Sequence, residues 1–399
     1  MTTETAAGRR VRPLELFFDL VFVFAITQVT GLMSADPTWE GLGRGLLVLA
    51  AIWWAWGSYS WLTNTIDPDL PVGRLSVLAA MTAMLIVALA VPEAFGSDAL
   101  LFACAYFLVR ALHIVVYASA AEEVSVRATM RALAPTSIAA PALLVGAGFL
   151  DGAAQAAVWC LALAIDYSGP YVRGVEGLTV SPAHFAERYG LIVIIALGES
   201  IVAIGVGAAG LELRAGEIAA ATAGLAVAGA MWWTYFDVVS VVAERRLGEA
   251  AGPARARLAR DSYSYLHLPL IAGVVLVALA IKKTLEHVGE PLEEAPAIAL
   301  CAGVALYLLA LVGFRLRVAR TINVERLAAA GLALALLPVT LVAPSLVALS
   351  SLAALLAALV AYEAVRFREE RGSLRAMPGH QLAGRAEGRD CALSNQEVV

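Results

Sequence analysis

The sequence predicts an all-α, polytopic integral membrane protein with about twelve transmembrane helices, arranged as two six-helix repeats. Composition, a succession of apolar runs and the distribution of basic residues support this prediction. Of the 399 residues, 60% are hydrophobic and only 15% are charged, whereas soluble domains carry about 25% charged residues. Runs long enough for a helix to cross a bilayer follow one another along most of the chain. The lipid bilayer is therefore the partner that composition predicts directly.

The predicted spans are the apolar windows between charged or turn-forming clusters. In the first half they cover 13–33, 44–63, 74–92, 99–120, 132–150 and 153–171. In the second half they cover 188–208, 217–242, 262–283, 295–314, 325–343 and 345–367. The predicted organisation is a cytoplasmic N-terminal tail at 1–12, a first repeat at 13–171, a cytoplasmic linker at 172–187, a second repeat at 188–370 and a disordered cytoplasmic C-terminal tail at 371–399.

The basic residues provide an independent test of the number of spans. With the N-terminus in the cytoplasm, 23 of the 28 Lys and Arg residues fall in cytoplasmic segments, as the positive-inside rule requires. An odd number of helices would move the basic C-terminal segment to the opposite side. We therefore predict a multi-pass protein of the bacterial inner membrane with both termini in the cytoplasm.

Landmarks that recur in the same order indicate an internal duplication. Because each repeat has an even number of spans, the two copies would point the same way, related by an axis along the membrane normal. Function would then be expected in a cavity between them. The matched positions are Glu15 with Glu187, Trp53 with Trp232, Cys104 with Cys301 and Asp166 with Glu363.

Several functional classes have no support in the sequence. A net charge of −5 gives no basic field for nucleic acid. The four cysteines include no CxxC pair, and there is no HExxH zinc motif, P-loop or GxSxG elbow. We therefore expect no enzymatic activity, no metal, no cofactor and no nucleic-acid partner.

The first span carries two carboxylates four residues apart, which places them on one helix face. Glu15 and Asp19 both lie toward the cytoplasmic end of this span. One interpretation is the mouth of an ion or proton path; the other is a helix cap for Glu15 and a structural ion pair for Asp19. Two residues at the start of the seventh span would share this mouth, His184 and Glu187, and Arg188 follows them at the same cytoplasmic end.

The fourth span carries a polar stripe at helical spacing. Tyr106, Arg110, His113 and Tyr117 follow at i, i+4, i+7 and i+11. Arg110 falls near the middle of the membrane, where a guanidinium requires a carboxylate or several carbonyl partners. A buried structural ion pair and a pathway role are both open.

Glu199 is the deepest carboxylate of the seventh span. It lies eleven residues beyond Arg188, which at 1.5 Å per residue is roughly 16 Å into the membrane. Such a glutamate is either paired, with Arg110 as the expected partner, or protonated in apolar surroundings, the state on which a proton relay depends. The tryptophans of the second span, Trp53, Trp54 and Trp56, fit core packing better than an aromatic substrate box.

Two segments together resemble the bacterial low temperature requirement protein A family. They are RRVRPLELFFDLVFVFAITQVTGLM at 9–33 and HFAERYGLIVIIALGESIVAIG at 184–205, with Trp-Trp segments at 53 and 232 that fit the same pattern. The resemblance implies a polytopic inner-membrane protein named after a cold-growth phenotype, and it supplies neither a substrate nor site residues. A looser similarity of FFD at 17–19 to a potassium channel family leaves a channel open.

The sequence thus favours a membrane transporter, with protons as the candidate coupling ion and a polar cavity open to the cytoplasm for an unknown small solute or ion. The alternative is a cation channel, or a non-transport factor in lipid handling or cold adaptation whose buried charges fix helix packing. The predicted pathway residues are Asp19, Arg110, His113, Glu199, Asp237 and His267. The predicted cytoplasmic mouth consists of Glu15, Asp166, His184 and Glu187.

Overall fold

The computed structural model describes residues 10–65, 71–121 and 123–368, and these ranges contain helices and no strands. The first half comprises α1 (Pro13–Ala35), α2 (Trp39–Thr65), α3 (Pro71–Ala90), α4 (Ala99–Ala120), α5 (Val124–Ala147) and α6 (Gly152–Arg173). The second half comprises α7 (Pro182–Gly207), α8 (Ala215–Phe236), α9 (Val239–Glu249), α10 (Gly252–Ala259), α11 (His267–Glu286), α12 (Glu294–Ala319), α13 (Val324–Ala335), α14 (Leu337–Val342) and α15 (Ser345–Arg366). The predicted C-terminal tail at 371–399 and residues 1–9 of the N-terminal tail lie outside the described residues.

The predicted all-α, polytopic architecture is confirmed. In the described ranges, eleven helical segments are long and apolar enough to cross a membrane. The sixth predicted span, α6, is 22 residues long but more polar, because it contains Gln155, Asp166 and Arg173. It packs against α2 and α5. With α6, the described residues contain twelve helical segments, the number predicted, of which eleven meet the length and hydropathy of a membrane span.

Three of the passes are interrupted rather than continuous; one of them, the eleventh, breaks between α13 and α14 at Leu336. The eighth breaks between α8 and α9 at Asp237 and Val238. In the ninth, a π-helical turn at Arg260–Tyr265 separates α10 from α11. Pro269 explains this turn, because proline has no N–H for the carbonyl of Tyr265 four residues earlier. The interruptions turn backbone and side chains inward in the middle of the protein.

The two halves repeat one order of neighbouring helices. In the first half α1 packs on α2 and α3, α4 on α3 and α5, and α6 on α5 and α2. In the second half α7 packs on α8 and α11, α12 on α11 and α13, and α15 on α13 and α8. Equivalent residues do not share one environment, since Trp53 is buried while Trp232 is exposed. The internal duplication stays a prediction.

The helices α1 and α7 join the two halves. They pack on one another, and α1 also contacts α11. We define the N-side of the protein as the side on which α1 begins. The loop at 174–181 lies on the N-side, because the Asn64 amide at the end of α2 donates to the Thr179 carbonyl at 2.9 Å.

The closest helix crossing depends on two glycines, Gly273 of α11 and Gly303 of α12. A Cβ atom on Gly273 would lie 2.6 Å from the Gly303 carbonyl oxygen, and this backbone atom moves only if α12 moves. We expect Gly273→Ala to destabilise the protein by about 1–3 kcal/mol, the usual range for overpacking. Thermal unfolding in detergent, followed by tryptophan fluorescence, measures this change.

The control is Gly229→Ala in α8, where a Cβ atom meets nothing within 4 Å. This substitution is expected to raise the unfolding temperature slightly, because alanine is the better helix former. Equal unfolding temperatures for the two variants would contradict the close crossing of α11 and α12.

Candidate functional site

A cavity of about 60 Å³ lies between α2, α4, α5, α6 and the π-helical turn. This volume holds about four to six water molecules. Val175 and Leu178, from the loop on the N-side, line its N-side end, which we call the rim, and both are buried. Its wall is mostly apolar and rich in aromatic rings, with Trp53, Trp54 and Trp61 of α2 prominent. The polar side chains that line it include Ser58, Arg110, His113, Ser137, Asp166, Arg260 and Ser264.

The base of the cavity is a buried ion pair between Arg110 and Asp166. Arg110 Nη2 donates to Asp166 Oδ1 at 2.7 Å, and the two side chains are each 2% exposed. Arg110 Nη1 also donates to the Ser58 hydroxyl. Arg110 Nε and Asp166 Oδ2 have no hydrogen-bond partner of normal geometry. The pair therefore keeps one donor unused, at Arg110 Nε, and one acceptor without a well-formed bond, since Asp166 interacts further only with the Trp54 indole.

The expected pairing of Arg110 with Glu199 is wrong. The sequence places Arg110 of α4 and Glu199 of α7 at similar depths in the membrane. However, α2 lies between these two helices and contacts both of them. Arg110 instead uses Asp166 of α6, which the sequence analysis placed at the cytoplasmic mouth.

His113 lies one turn from Arg110 on the same face of α4 and lines the cavity. It is 5% exposed, and neither ring nitrogen makes a hydrogen bond of normal geometry. The rings of Tyr59 and Tyr117 flank it at 5.5 and 5.6 Å between centroids. His113 is thus a buried polar group held in place by aromatic packing.

A second cluster of charges joins α1 to α7 near the N-side. His184 Nε2 lies 2.9 Å from Glu15 Oε2. Arg188 Nη2 donates to Asp19 Oδ1 at 2.9 Å, and Arg188 Nη1 lies 3.5 Å from Glu15 Oε1. The indole of Trp56 donates to the same Asp19 oxygen at 2.9 Å. The four charged or titratable side chains are at most 1% exposed, so this cluster acts as an internal tie between the two halves.

Glu199 contacts α1 instead of a cation. Its Oε2 atom lies 2.6 Å from the Thr27 hydroxyl, and Glu199 is 3% exposed. Lys282 contributes only a longer-range attraction. Within the described ranges Glu199 therefore differs from Asp19, Asp166 and Glu363, each of which is paired with an arginine.

The π-helical turn supplies acceptors to the aromatic centre of the protein. The Trp53 indole donates to the Ser264 carbonyl at 2.8 Å, and the Trp61 indole donates to the Ser264 hydroxyl at 2.9 Å. His267 Nδ1 lies 3.0 Å from the Ser262 carbonyl, so it carries the proton and donates. His267 Nε2 then accepts from the Tyr235 hydroxyl at 2.9 Å. Both ring nitrogens of His267 are hydrogen-bonded, and His267 does not line the cavity. We therefore interpret it as a structural residue.

The remaining predicted residues lie elsewhere. Asp237 is half-buried at the joint between α8 and α9. Glu187 is exposed and accepts the Val11 backbone N–H at 3.1 Å. The structure therefore brings Arg110, His113 and Asp166 together in one cavity, and Glu15, Asp19 and His184 together in the cluster with Arg188. The other predicted residues lie at separate contacts: Glu187, Glu199, Asp237 and His267.

Sequence reasoning missed a further buried pair and two cavity residues. Arg326 of α13 donates to both carboxylate oxygens of Glu363 of α15, at 2.7 and 2.9 Å. The alignment of Asp166 with Glu363 in the two predicted repeats was the sequence signal for this pair. Arg326, at the start of the eleventh predicted span, was expected to be an interfacial charge instead. Arg260 and Ser264 reach the cavity only because of the π-helical turn, which periodicity does not reveal.

The described residues offer no grouping of three His, Cys, Asp or Glu side chains that could hold a metal ion. The expected absence of a metal and of a cofactor stays a prediction. The chemistry available in the cavity is hydrogen bonding and charge pairing, from Arg110, His113 and Asp166.

Comparison with known proteins identifies the family. Residues 10–361 match the bacterial low temperature requirement A protein family. The chain belongs to this family. All the cavity residues lie inside the matched range, and the resemblance carried by 9–33 and 184–205 is confirmed.

A relative of this low temperature requirement A family chain is the uncharacterized protein RA0937 of Rhizobium meliloti (strain 1021). It is 31% identical over 286 residues, which cover 68% of this chain and 69% of the relative. No solved structure matches this chain. These comparisons identify the family but name no substrate.

Proposed function

We propose that this member of the family is a membrane carrier for a small solute, bound in the cavity at Arg110, His113 and Asp166. The observation that carries the proposal is the combination, in one cavity, of a buried ion pair with a buried histidine whose ring nitrogens make no hydrogen bond of normal geometry. Charged groups in a membrane interior mark substrate or ion pathways unless they serve packing alone. The Asp19–Arg188 cluster also keeps unpaired buried atoms, at Asp19 Oδ2 and Arg188 Nε, but these residues do not line the cavity. The position beside a cavity is therefore what distinguishes the Arg110 pair.

The proposed access to the cavity is from the cytoplasm. Its rim is on the N-side, together with three arginines of the α10 region, Arg255, Arg257 and Arg260. Arg255 and Arg257 contact the loop at 174–181. Since basic residues favour the cytoplasmic side of a bacterial inner membrane, they support an orientation with the N-side and both termini in the cytoplasm.

The proposed proton site is Glu199. The Thr27 hydroxyl has one hydrogen and two acceptors within reach, Glu199 Oε2 at 2.6 Å and the Val23 carbonyl at 3.2 Å. With Glu199 ionised, Thr27 donates to the carboxylate. With Glu199 protonated, the carboxylic acid donates to Thr27, which turns to Val23. One hydroxyl rotation thus accommodates both protonation states, without leaving an arginine unpaired.

The test is transport in vesicles of phosphatidylethanolamine and phosphatidylglycerol. Wild-type protein is expected to accumulate one class of a radiolabelled panel of amino acids, sugars and organic acids when a pH gradient is applied. Glu199→Gln keeps the size of the side chain, but its amide cannot take up or release the transported proton. It is expected to lose accumulation driven by the pH gradient while retaining exchange of labelled for unlabelled solute.

The control is Glu212→Gln, an exposed carboxylate in the loop after α7, which is expected to behave as wild type. Accumulation that survives in Glu199→Gln would remove Glu199 from the coupling. Failure of wild-type protein to exchange any solute of the panel would contradict the carrier itself.

The second candidate function is a membrane factor that does not transport, in which buried charges fix helix packing. The ties at α1 and α7 and at α13 and α15 favour it, because each charge there has its own partner. Removing the Arg110 pair without destabilising the protein, as described below, separates the two functions.

A further inference from the structure

The cavity has a specific pattern of unused hydrogen-bonding atoms. Four buried side-chain atoms without a hydrogen-bond partner of normal geometry belong to residues that line it: Arg110 Nε, Asp166 Oδ2 and both ring nitrogens of His113. Asp166 also interacts with the Trp54 indole and His113 with the Ser58 carbonyl, so Arg110 Nε is the clearest unused atom. Buried polar groups are normally hydrogen-bonded, and leaving them unpaired in an apolar environment is unfavourable. These atoms therefore indicate the position and polarity of a ligand.

The formal charges of the cavity restrict the net charge of that ligand. Arg110 and Asp166 cancel one another. Arg260 is paired with Asp261 at 2.7 Å, and Asp261 also binds Arg317, whose side chain is 39% exposed and so keeps its charge in contact with solvent. A ligand with a net charge would be buried without an opposite charge to compensate it, which is strongly unfavourable in a low-dielectric site. The ligand that fits is neutral overall.

The unused atoms also require both a donor and an acceptor on the ligand. Arg110 Nε–H needs an acceptor, while Asp166 Oδ2 needs a donor. Both atoms belong to fully charged groups, so they prefer charged partners to neutral ones. A carboxylate and an ammonium on one small molecule meet both needs, and His113 can bond either of them.

The apolar residues that line the cavity, together with its volume, limit the size of the ligand and the kind of apolar group that it carries. Trp53, Trp54 and Trp61 face the cavity, and aromatic faces pack well on apolar groups and also attract cations. A volume of about 60 Å³ leaves room for a molecule of only a few non-hydrogen atoms.

We propose that the cavity binds a small zwitterion of the α-amino acid class, with its carboxylate at Arg110 and its ammonium at Asp166. The inference rests on the proposed function for its biological role, but binding is measured without transport. An apolar side chain no larger than that of alanine or valine would lie against the tryptophans of α2.

The test is a fluorescence titration of the purified protein in detergent, since three tryptophans line the cavity and report its occupancy. The probes are L-alanine, acetate, methylammonium and acetamide, which carry both charges, one charge or none. Saturable binding of alanine is expected, with the other three weaker by about ten- to hundredfold, because each lost charged hydrogen bond has this effect.

The matched variant is Arg110→Met with Asp166→Leu, which removes both charges together. It is expected to bind no alanine while its unfolding temperature stays near that of wild type. His113→Phe, which leaves the ion pair intact, is expected to weaken alanine binding without abolishing it.

Three results would overturn the inference: no saturable signal with alanine, binding of any single-function probe as tightly as alanine, or alanine binding that persists in the double variant. The carrier proposal fails separately. Alanine that binds but never crosses the vesicle membrane would refute transport and leave the ligand class standing. Transport of another solute by a protein that does not bind alanine would refute the ligand class and leave the carrier proposal standing.

Discussion

Replacing Arg188 by methionine is expected to destabilise the protein by about 3–5 kcal/mol, the usual effect of removing one partner of a buried ion pair. Arg188 is the cation between Asp19 and Glu15, at 2.9 and 3.5 Å. Without it, buried Asp19 keeps only the Trp56 N–H, while Glu15 keeps His184. The measurement is the free energy of unfolding in mixed micelles of a mild detergent and sodium dodecyl sulfate.

Second substitutions define the cause of that loss. Asp19→Asn in the Arg188→Met background removes the unpaired carboxylate and is expected to recover a large part of the stability. Arg188→Lys keeps a charge but not the two-pronged guanidinium, and is expected to lie between wild type and Arg188→Met. The matched control, Arg214→Met, removes an exposed arginine in a surface ion pair and is expected to change the stability by less than about 1 kcal/mol. A neutral Arg188→Met would contradict the tie between α1 and α7.

Asp166→Asn is expected to have the second large effect, about 3–5 kcal/mol of destabilisation, because it leaves Arg110 buried without a counter-charge. The double variant Arg110→Met with Asp166→Leu is the informative comparison. Replacing a buried ion pair by apolar residues of similar volume is often neutral or stabilising. The double variant is therefore expected to regain stability, yet to show no uptake in vesicles.

The pair in the second half provides a control of the same chemistry. Arg326→Met with Glu363→Leu also replaces a buried arginine and carboxylate, but neither residue lines the cavity described above. This variant is expected to be stable and to transport normally. If the Arg110 double variant were both stable and active, the ion pair would have a packing role and the transporter proposal would lose its central observation.

The number and positions of the passes were predictable because they depend on local hydropathy. Eighteen or more apolar residues in sequence require a membrane helix whatever its neighbours are. The interruptions within the passes were harder to predict from the sequence. The predicted ninth span at 262–283 was continuous, whereas the chain forms a π-helical turn up to Tyr265. Pro269 was visible in the sequence, but whether a proline kinks, widens or ends a helix depends on what packs around it.

The site was predicted in part, for a similar reason. Depth along a helix follows from counting residues, so Arg110 was correctly expected to be buried and to need a carboxylate. Which carboxylate it meets depends on the lateral arrangement of helices, and a single sequence contains no direct record of that arrangement. The interpretation of Glu15, Asp19 and His184 as a shared mouth had the same limit, because the structure shows them as a closed cluster with Arg188.

The hydrogen bonds from Trp53 and Trp61 to Ser264 have a consequence for biosynthesis. Ser264 follows Trp61 by 203 residues, which a ribosome adds in roughly 10 to 40 seconds. During that interval the nascent first half is in the bilayer with two indole N–H groups that lack their final acceptors. The first six helices can insert early, but they reach their mature packing only after the ninth pass has left the translocon.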